Sequence, residues 1–161
     1  MDIRAGTGID FHILVEDDTR PLLLGGVKIP GILALKGHSD SDVMLHAVAD
    51  AILGALGIGD IGDFFPDTDP ELKDMDSSRI VNHAVEEMKR KGFRVSNCDI
   101  TLIAEKPRIS IYKPTIINSI SKMLFIEPSR IGLKGTTTEK MGALGRAEGV
   151  ACVATVLLIS E

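Results

Sequence analysis

The stretch Ile3-Arg4-Ala5-Gly6-Thr7-Gly8-Ile9-Asp10-Phe11-His12 decides how this chain of 161 residues folds. Its first part, Ile3 to Ile9, predicts a short first strand. Gly6 and Gly8 indicate a close backbone approach, because glycine has no side chain to keep a neighbouring segment away. Asp10 and His12 stand two residues apart at the end of this strand, so the period of two places both side chains on one face. The stretch predicts a closely packed strand that ends in two cooperating polar side chains.

Beyond this strand, strand patterns alternate with helix patterns. A hairpin around Gly-Gly is predicted over 22–30, followed by a loop over 30–37. Ser39 and Asp42 have capping-box spacing for a helix that reaches about Gly57. Further helices are predicted from an Asp76 or Ser77 cap to Gly92 and from Pro114 to Leu124, and further strands over 99–104, 131–136 and 149–160. The order predicts one α/β (α+β) domain over residues 1–161, with a single mixed β-sheet packed on helices.

Composition excludes several classes of function. The chain carries 18 Lys and Arg against 23 Asp and Glu, no Trp and one Tyr. Nucleic-acid-binding proteins usually carry a basic surface, so no nucleic-acid partner is expected. The longest apolar stretch, Val150 to Ile159, is about half the ~20 residues that a membrane helix needs, so we expect a soluble cytoplasmic protein without membrane contact. Cys98 and Cys152 are expected to be buried thiols rather than a disulfide.

Three residues suggest a metal site. Asp10, His12 and His46 offer one carboxylate and two imidazoles, a set that leaves a fourth tetrahedral position open, as catalytic zinc requires. Taken singly, each also fits an ordinary polar strand end or helix histidine. The segment 38–46 favours a metal site, because it gathers two His, two Asp and two Ser around a helix start. A helix start also suits anions such as phosphate. Asp42 stands four residues before His46 and could orient its imidazole. Capping accounts for Ser39 or Ser41, but not for both histidines.

Other polar clusters are less specific. The acidic stretch 60–70 lacks the glycine and glutamate positions of a calcium loop and predicts a turn-rich loop. The stretch 134–140 carries three Thr, two Lys and Glu139 at a strand end, which could hold phosphate oxygens and a divalent cation or could simply end a Thr-rich strand. His83 lies off the apolar stripe of its helix, so we expect it to be exposed and without a role.

Together, these segments resemble the 2-C-methyl-D-erythritol 2,4-cyclodiphosphate synthase family of the non-mevalonate isoprenoid route. The matching stretches, in family order, are 6–12, 24–30, 38–46, 56–70, 99–107 and 134–151. The resemblance implies a homotrimer with active sites between subunits. It also implies a phosphorus–oxygen lyase that cyclises a small nucleotide substrate, 4-diphosphocytidyl-2-C-methyl-D-erythritol 2-phosphate, and releases CMP.

The resemblance further implies the roles of individual residues. Asp10, His12 and His46 would bind zinc, and Glu139 would bind a second divalent ion, magnesium or manganese. His38 and Thr137 would stabilise the transition state. The implied substrate contacts are Asp10, Phe11, His12, His38, Ser39, Asp60, Ile61, Gly62, Phe65, Pro66, Asp67, Thr68, Asp69, Ala104, Glu105, Lys106, Pro107, Arg108, Ile109, Ser110, Lys134, Thr136, Thr137, Thr138, Glu139, Ala143 and Arg146.

The chain departs from the family pattern in two places. Ala143 stands where the family commonly has a Phe that lines a central cavity of the trimer, which argues against an isoprenoid diphosphate there. Residues 108–112 replace a stretch that usually carries Pro and His. Two alternatives stay open: a metal-dependent phosphohydrolase, and a non-catalytic, zinc-stabilised trimeric module that binds isoprenoid diphosphates. The module would need a fourth protein ligand on its metal.

Overall fold

A computed structural model describes residues 1–66 and 68–161 of the chain. The strands of this part are β1 (Ile3–Glu16), β2 (Leu22–Leu24), β3 (Val27–Ile29), β4 (Leu33–Lys36), β5 (Phe93–Ile103), β6 (Ile131–Thr136) and β7 (Gly149–Ser160). The α-helices are α1 (Val43–Leu56), α2 (Ile61–Phe64), α3 (Ser78–Arg90), α4 (Lys113–Leu124) and α5 (Gly142–Gly145). Short 3-10 turns occur at Pro70–Leu72 and Pro128–Arg130.

Five strands form one mixed sheet in the order β4-β1-β7-β5-β6. Its neighbours are antiparallel except β5 and β6, which run parallel. The strands β2 and β3 form a separate hairpin whose turn glycines, Gly25 and Gly26, have φ of 62° and 77°. The predicted hairpin and the predicted mixed sheet packed on helices are therefore confirmed.

Helix α1 lies directly on the backbone of β1. A Cβ atom added to Gly8 would be 1.9 Å from the carbonyl oxygen of Ala47, and one added to Gly6 would be 2.0 Å from that of Ala51. No side chain fits between the two elements at these points, so the predicted close approach is confirmed. Because Asp10 and His12 follow Gly8 on the same face of β1, the first turns of α1 are held above them.

The first strand is longer than its sequence indicated, and the segment predicted as a loop contains a strand. Residues Ile13 to Glu16 continue β1 by pairing with β4, from Ile13 opposite Lys36 to Glu16 opposite Leu33. The four residues of β4 are too few to show a period of their own, and their partner lies about twenty residues away in the sequence. Strand β5 likewise begins at Phe93, six residues before the predicted start, and a bulge interrupts its pairing with β7 between Val95 and Asn97.

The stretch 60–70 also differs from the predicted turn-rich loop, because it contains helix α2. Asp60 caps this helix by accepting from the backbone N–H groups of Gly62 and Asp63, and the Asp63 carboxylate accepts from the Asp60 N–H. Asp50 of α1 accepts from the Ile61 N–H at 2.7 Å and thereby fixes α2 to the main helix. The other predicted helices are confirmed: α3 is followed by Gly92 with φ of 76°, and Pro114 lies in the first turn of α4.

The two cysteines are buried thiols, as expected. Cys98 lies on β5 and Cys152 on β7, where Cys152 pairs with Leu102. Cys98 is four residues from Leu102, so the two Cα atoms are about 13 Å apart along the strands. A disulfide requires about 4.4–6.8 Å, which excludes this pairing. Burial raises the pKa of the Cys98 thiol to about 12, so it stays protonated at neutral pH.

One face of the sheet carries helices α1, α3 and α4, and the face opposite α1 on β1 is apolar and open. Every second residue from Ile9 to Ile13 lies on this open face: Ile9, Phe11 and Ile13 have exposed fractions of 55%, 64% and 58%. Apolar patches of this kind mark interaction surfaces in soluble proteins. Within the described residues, no helix has the length and apolar character needed to cross a membrane.

Candidate metal centre and substrate cavity

Asp10, His12 and His46 meet between β1 and α1. The Asp10 Oδ2 atom lies 3.0 Å from His12 Nε2 and 3.0 Å from His46 Nδ1, and the two ring nitrogens are 3.2 Å apart. The alternation of β1 supplies Asp10 and His12, and the first turn of α1 supplies His46. The sequence prediction that these three side chains share one place is confirmed.

This group fits a divalent metal. One carboxylate oxygen and two imidazole nitrogens are a donor set typical of catalytic zinc sites with three protein ligands. Bonds of about 2.0–2.1 Å at tetrahedral angles place ligand atoms roughly 3.3 Å apart, close to the separations of 3.0–3.2 Å in this group. The three residues could therefore hold one metal ion with little rearrangement.

The ionisation of Asp10 suits this role. Burial opposes its charge, but the adjacent imidazoles of His12 and His46 outweigh burial and lower the Asp10 pKa to about 2. The same carboxylate raises the pKa of His12 against the opposing effect of burial. Asp10 is therefore a carboxylate at neutral pH, the form that ligates metals.

Backbone and side-chain partners orient both imidazoles. His12 Nδ1 lies 3.0 Å from the carbonyl oxygen of Lys36, which can only accept, so Nδ1 carries the proton and Nε2 is free to bind the metal. This contact depends on strand β4, which lies in the segment predicted as a loop. His46 Nε2 lies 2.8 Å from the Ser77 hydroxyl and 3.2 Å from the Ser39 hydroxyl.

Asp42 does not orient His46, contrary to the sequence prediction. Its carboxylate caps α1 by accepting from the N–H groups of Met44 and Leu45, so the capping role predicted for Ser39 or Ser41 belongs to Asp42. It also accepts from the N–H groups of Gly25 and Gly26 at 2.9 and 2.7 Å, which fixes the β2–β3 turn to the helix. All of these donors are backbone groups, so Asp42 stabilises the scaffold below the site.

A cavity of about 420 Å³ opens beside the three ligands. Part of its wall is the loop 37–39, held by Arg20, whose guanidinium donates to the Ser39 carbonyl and the Ser41 hydroxyl. His38 in this loop lies with Nε2 3.1 Å from the carbonyl oxygen of Asp69, so Nε2–H donates there. The predicted site residues that line this cavity are Asp10, His12, His38, Ser39, His46, Ile61, Gly62, Phe65 and Pro66.

The other predicted residues of this region lie outside the cavity lining. Phe11 is on the open face of the sheet, Asp60 caps α2, and Thr68 is exposed. Asp69 caps the 3-10 turn through its side chain. Asp67 falls outside the described residues.

A second, smaller cavity of about 170 Å³ lies where β5 and β6 end. Eight predicted substrate contacts line it: Ala104, Glu105, Pro107, Arg108, Ile109, Ser110, Thr136 and Thr137. It shares no lining residue with the first cavity. Within one chain, His38 and Thr137 therefore line different cavities.

The remaining predicted contacts lie around these cavities. Lys106 is exposed, Lys134 pairs with Asp99, and Arg146 pairs with Glu148 at 2.6 Å. The Thr138 hydroxyl donates to the Met141 carbonyl at 2.7 Å. Glu139 is exposed and is not part of the Asp10–His12–His46 group. Ala143 lines an apolar hollow on the open face together with Phe11.

His83 is not exposed as predicted; it is partly buried between two aromatic rings. Its ring centroid lies 4.6 Å from that of Phe64 and 5.4 Å from that of Phe65. Phe65 is also in the wall of the first cavity. The sequence shows two adjacent aromatic residues in this region, but the pairing with α3 becomes visible only when α2 folds onto that helix.

The fold and the site are those of a candidate metal-dependent enzyme: a mixed sheet whose helical face carries three residues that could hold a metal ion. The chain belongs to the YgbB family, whose model matches residues 3–159. It is 51% identical over 158 residues to a protein of Leptospira borgpetersenii named 2-C-methyl-D-erythritol 2,4-cyclodiphosphate synthase, with 98% of each chain covered.

Solved structures similar to this chain support the same family relationship. The bifunctional IspDF from Campylobacter jejuni superposes with a TM-score of 0.94 at 41% identity, covering 99% of this chain and 43% of that longer one. A Plasmodium falciparum IspF solved as a CDP complex superposes with a TM-score of 0.87 at 39% identity, covering 99% and 97%. The family resemblance found in the sequence is confirmed.

Proposed function

We infer that this chain converts 4-diphosphocytidyl-2-C-methyl-D-erythritol 2-phosphate to 2-C-methyl-D-erythritol 2,4-cyclodiphosphate and releases CMP, a lyase step of non-mevalonate isoprenoid biosynthesis. The observation that carries this conclusion is the Asp10–His12–His46 group at the wall of a 420 Å³ cavity, in a chain that matches a synthase of that name over 98% of its length. The proposal treats residues 1–161 as one catalytic domain.

The reaction needs no nucleophile from the protein. An oxygen of the substrate's 2-phosphate, already anionic at neutral pH, bonds to the β-phosphorus. The bond from this phosphorus to the bridging oxygen then breaks, and CMP leaves. Positioning and neutralisation of charge are what phosphoryl transfer chiefly demands of a protein. This explains why the described part of the cavity wall offers metal ligands and hydrogen-bond donors.

We propose that Asp10, His12 and His46 hold zinc and that Glu139 holds a second ion, magnesium or manganese. Bound metal would supply Lewis-acid polarisation of a phosphate oxygen. His38 is fixed in orientation by the Asp69 carbonyl, which supports its proposed part in stabilising the transition state. The Thr137 hydroxyl accepts from the Glu139 N–H at 3.2 Å, so its own proton remains available to a phosphate.

We further propose a homotrimer in which neighbouring subunits complete each site. Two features support it: His38 and Thr137 line separate cavities of one chain, and the open sheet face carries Ile9, Phe11 and Ile13. The smaller cavity would receive the cytosine, in line with the CDP present in the Plasmodium falciparum structure. Light scattering at micromolar concentration should give three times the chain mass, and a stable monomer would contradict the shared site.

Product analysis tests the proposed reaction. The chain incubated with the substrate and divalent metal should release CMP and a cyclic diphosphate in equal amounts, as seen by phosphorus NMR. Inorganic phosphate as the product would indicate a phosphohydrolase. Absence of turnover, with a fourth protein ligand on the metal, would indicate the binding module.

A further inference from the structure

Two side chains outside the metal group, Ser77 and Asp40, are linked to His46 by hydrogen bonds. Its Nδ1 faces Asp10, and its Nε2 lies 2.8 Å from the Ser77 hydroxyl. The Ser77 hydroxyl in turn donates to Asp40 Oδ1, and the Ser77 N–H donates to Asp40 Oδ2 at 2.9 Å. Ser77 is fully buried. The three side chains form a continuous relay, Asp40–Ser77–His46.

The direction of each hydrogen bond in the relay follows from the donors available. A carboxylate only accepts, so the single hydroxyl proton of Ser77 is committed to Asp40. The Ser77 oxygen can then only accept from His46, which places the ring proton on Nε2. Nδ1 consequently keeps its lone pair, and this is the nitrogen that faces Asp10 and His12.

The local structure of α3 supports this role independently. Ser77 occupies the N-cap position of α3, where a serine side chain normally accepts from a backbone N–H of the first turn. Its side chain makes no such bond. The neighbouring Asp76 accepts from the Ser78 N–H at 2.8 Å instead. The Ser77 hydroxyl is thereby free of the helix and directed to His46.

We propose that Ser77 is a positioning residue for the metal centre: with Asp40 it fixes the tautomer and ring orientation of His46, so that Nδ1 binds the metal. The proposal rests on the metal-dependent function inferred above. Partners of this kind orient metal-bound histidines, and their removal typically costs about 10–100-fold in metal affinity. Ser77 does not line the 420 Å³ cavity, so its effect is expected on metal binding and not on substrate binding.

Zinc affinity, measured by competition with a chelator, tests the proposal in the full chain. Ser77→Ala should weaken zinc binding about 10–100-fold, with KM for the substrate unchanged at saturating zinc. Ser77→Thr keeps the hydroxyl and should restore most of the affinity. Ser121→Ala is the matched control, because Ser121 is also a buried serine but donates to Asn118 on α4. Its zinc affinity should equal that of the unmodified chain.

Three outcomes would overturn the assignment: unchanged zinc affinity in Ser77→Ala, equal losses in Ser77→Ala and Ser121→Ala, or a larger loss in Ser39→Ala, since Ser39 is the other hydroxyl near Nε2.

If Ser77→Ala fails to fold, nitrogen NMR of the unmodified zinc-loaded chain decides: the proton of His46 must be on Nε2, and a proton on Nδ1 refutes the relay. An unmodified chain that neither binds zinc nor releases CMP refutes the proposed function as well. If the unmodified chain binds zinc and releases CMP, but Ser77→Ala leaves zinc affinity unchanged, only the relay is refuted.

Discussion

Replacing His46 with alanine is expected to abolish bound metal and to reduce CMP release about a thousand-fold or more. The variant removes one of three ligands, and a Lewis-acid metal contributes several kcal/mol to the transition state, at about 1.4 kcal/mol for each tenfold in rate. The fold should survive, because alanine is the best helix former and His46 lies in the first turn of α1. Metal analysis and a CMP-release assay on the purified variant measure both effects.

His83→Ala is the matched control for metal content. His83 is also a helix histidine, but it is only partly buried and packs against Phe64 and Phe65. This variant should keep its metal. Because Phe65 is in the cavity wall, a moderate rise in KM is expected here. Equal loss of metal in the two variants, or full activity in His46→Ala, would contradict the assignment of His46.

Gly8→Ala is expected to cost at least about 3 kcal/mol of unfolding free energy, the upper range for overpacked sites. The added methyl group would lie 1.9 Å from the carbonyl oxygen of Ala47, and this neighbour is helix backbone that cannot rotate away. Helix α1 would have to move off β1, and His46 would move with it. Denaturant unfolding at a fixed protein concentration measures the loss, and metal affinity should fall in parallel.

Gly54→Ala provides the comparison within the same helix. A Cβ atom there would have Thr7 O as its nearest neighbour at 4.0 Å, an ordinary contact. Alanine in a helix interior is favoured over glycine by about 0.5–1 kcal/mol, so this variant should be slightly more stable. A Gly8→Ala chain within about 1 kcal/mol of the unmodified protein would show that α1 does not depend on this contact.

Local patterns in the sequence predicted those parts of the fold that local physics determines. The turn at Gly25-Gly26, the helix start at Pro114 and the helix end at Gly92 each depend on the backbone preferences of one or two residues. Strand β4 could not be predicted in this way, since four residues acquire a strand conformation only by pairing with residues 13–16. Helix α2 has a local signal in the capping box of Asp60 and Asp63, but its attachment to α1 depends on Asp50, a residue of another helix.

The same contrast between local and long-range determinants holds within the site. Asp10 and His12 were predictable because the period of a strand places them side by side. Ser77 was visible only as one of two capping candidates, and nothing in its surroundings in the sequence points to His46, thirty-one residues earlier. Helical spacing predicts an orienting role for Asp42, but the backbone donors of Gly25 and Gly26 hold that carboxylate away from His46. For Ser77 and Asp42, hydrogen bonds between segments far apart in the sequence determine the role of the side chain.

The central claim is that the metal held by Asp10, His12 and His46 is required for CMP release. Its most direct test is a titration of the metal-stripped chain with zinc in the presence of magnesium and substrate, following CMP. The account predicts no turnover at the start, a rise in rate proportional to bound zinc, and a plateau at one zinc per chain. Substantial CMP release by the stripped chain, or a rate that does not follow zinc occupancy, would contradict it.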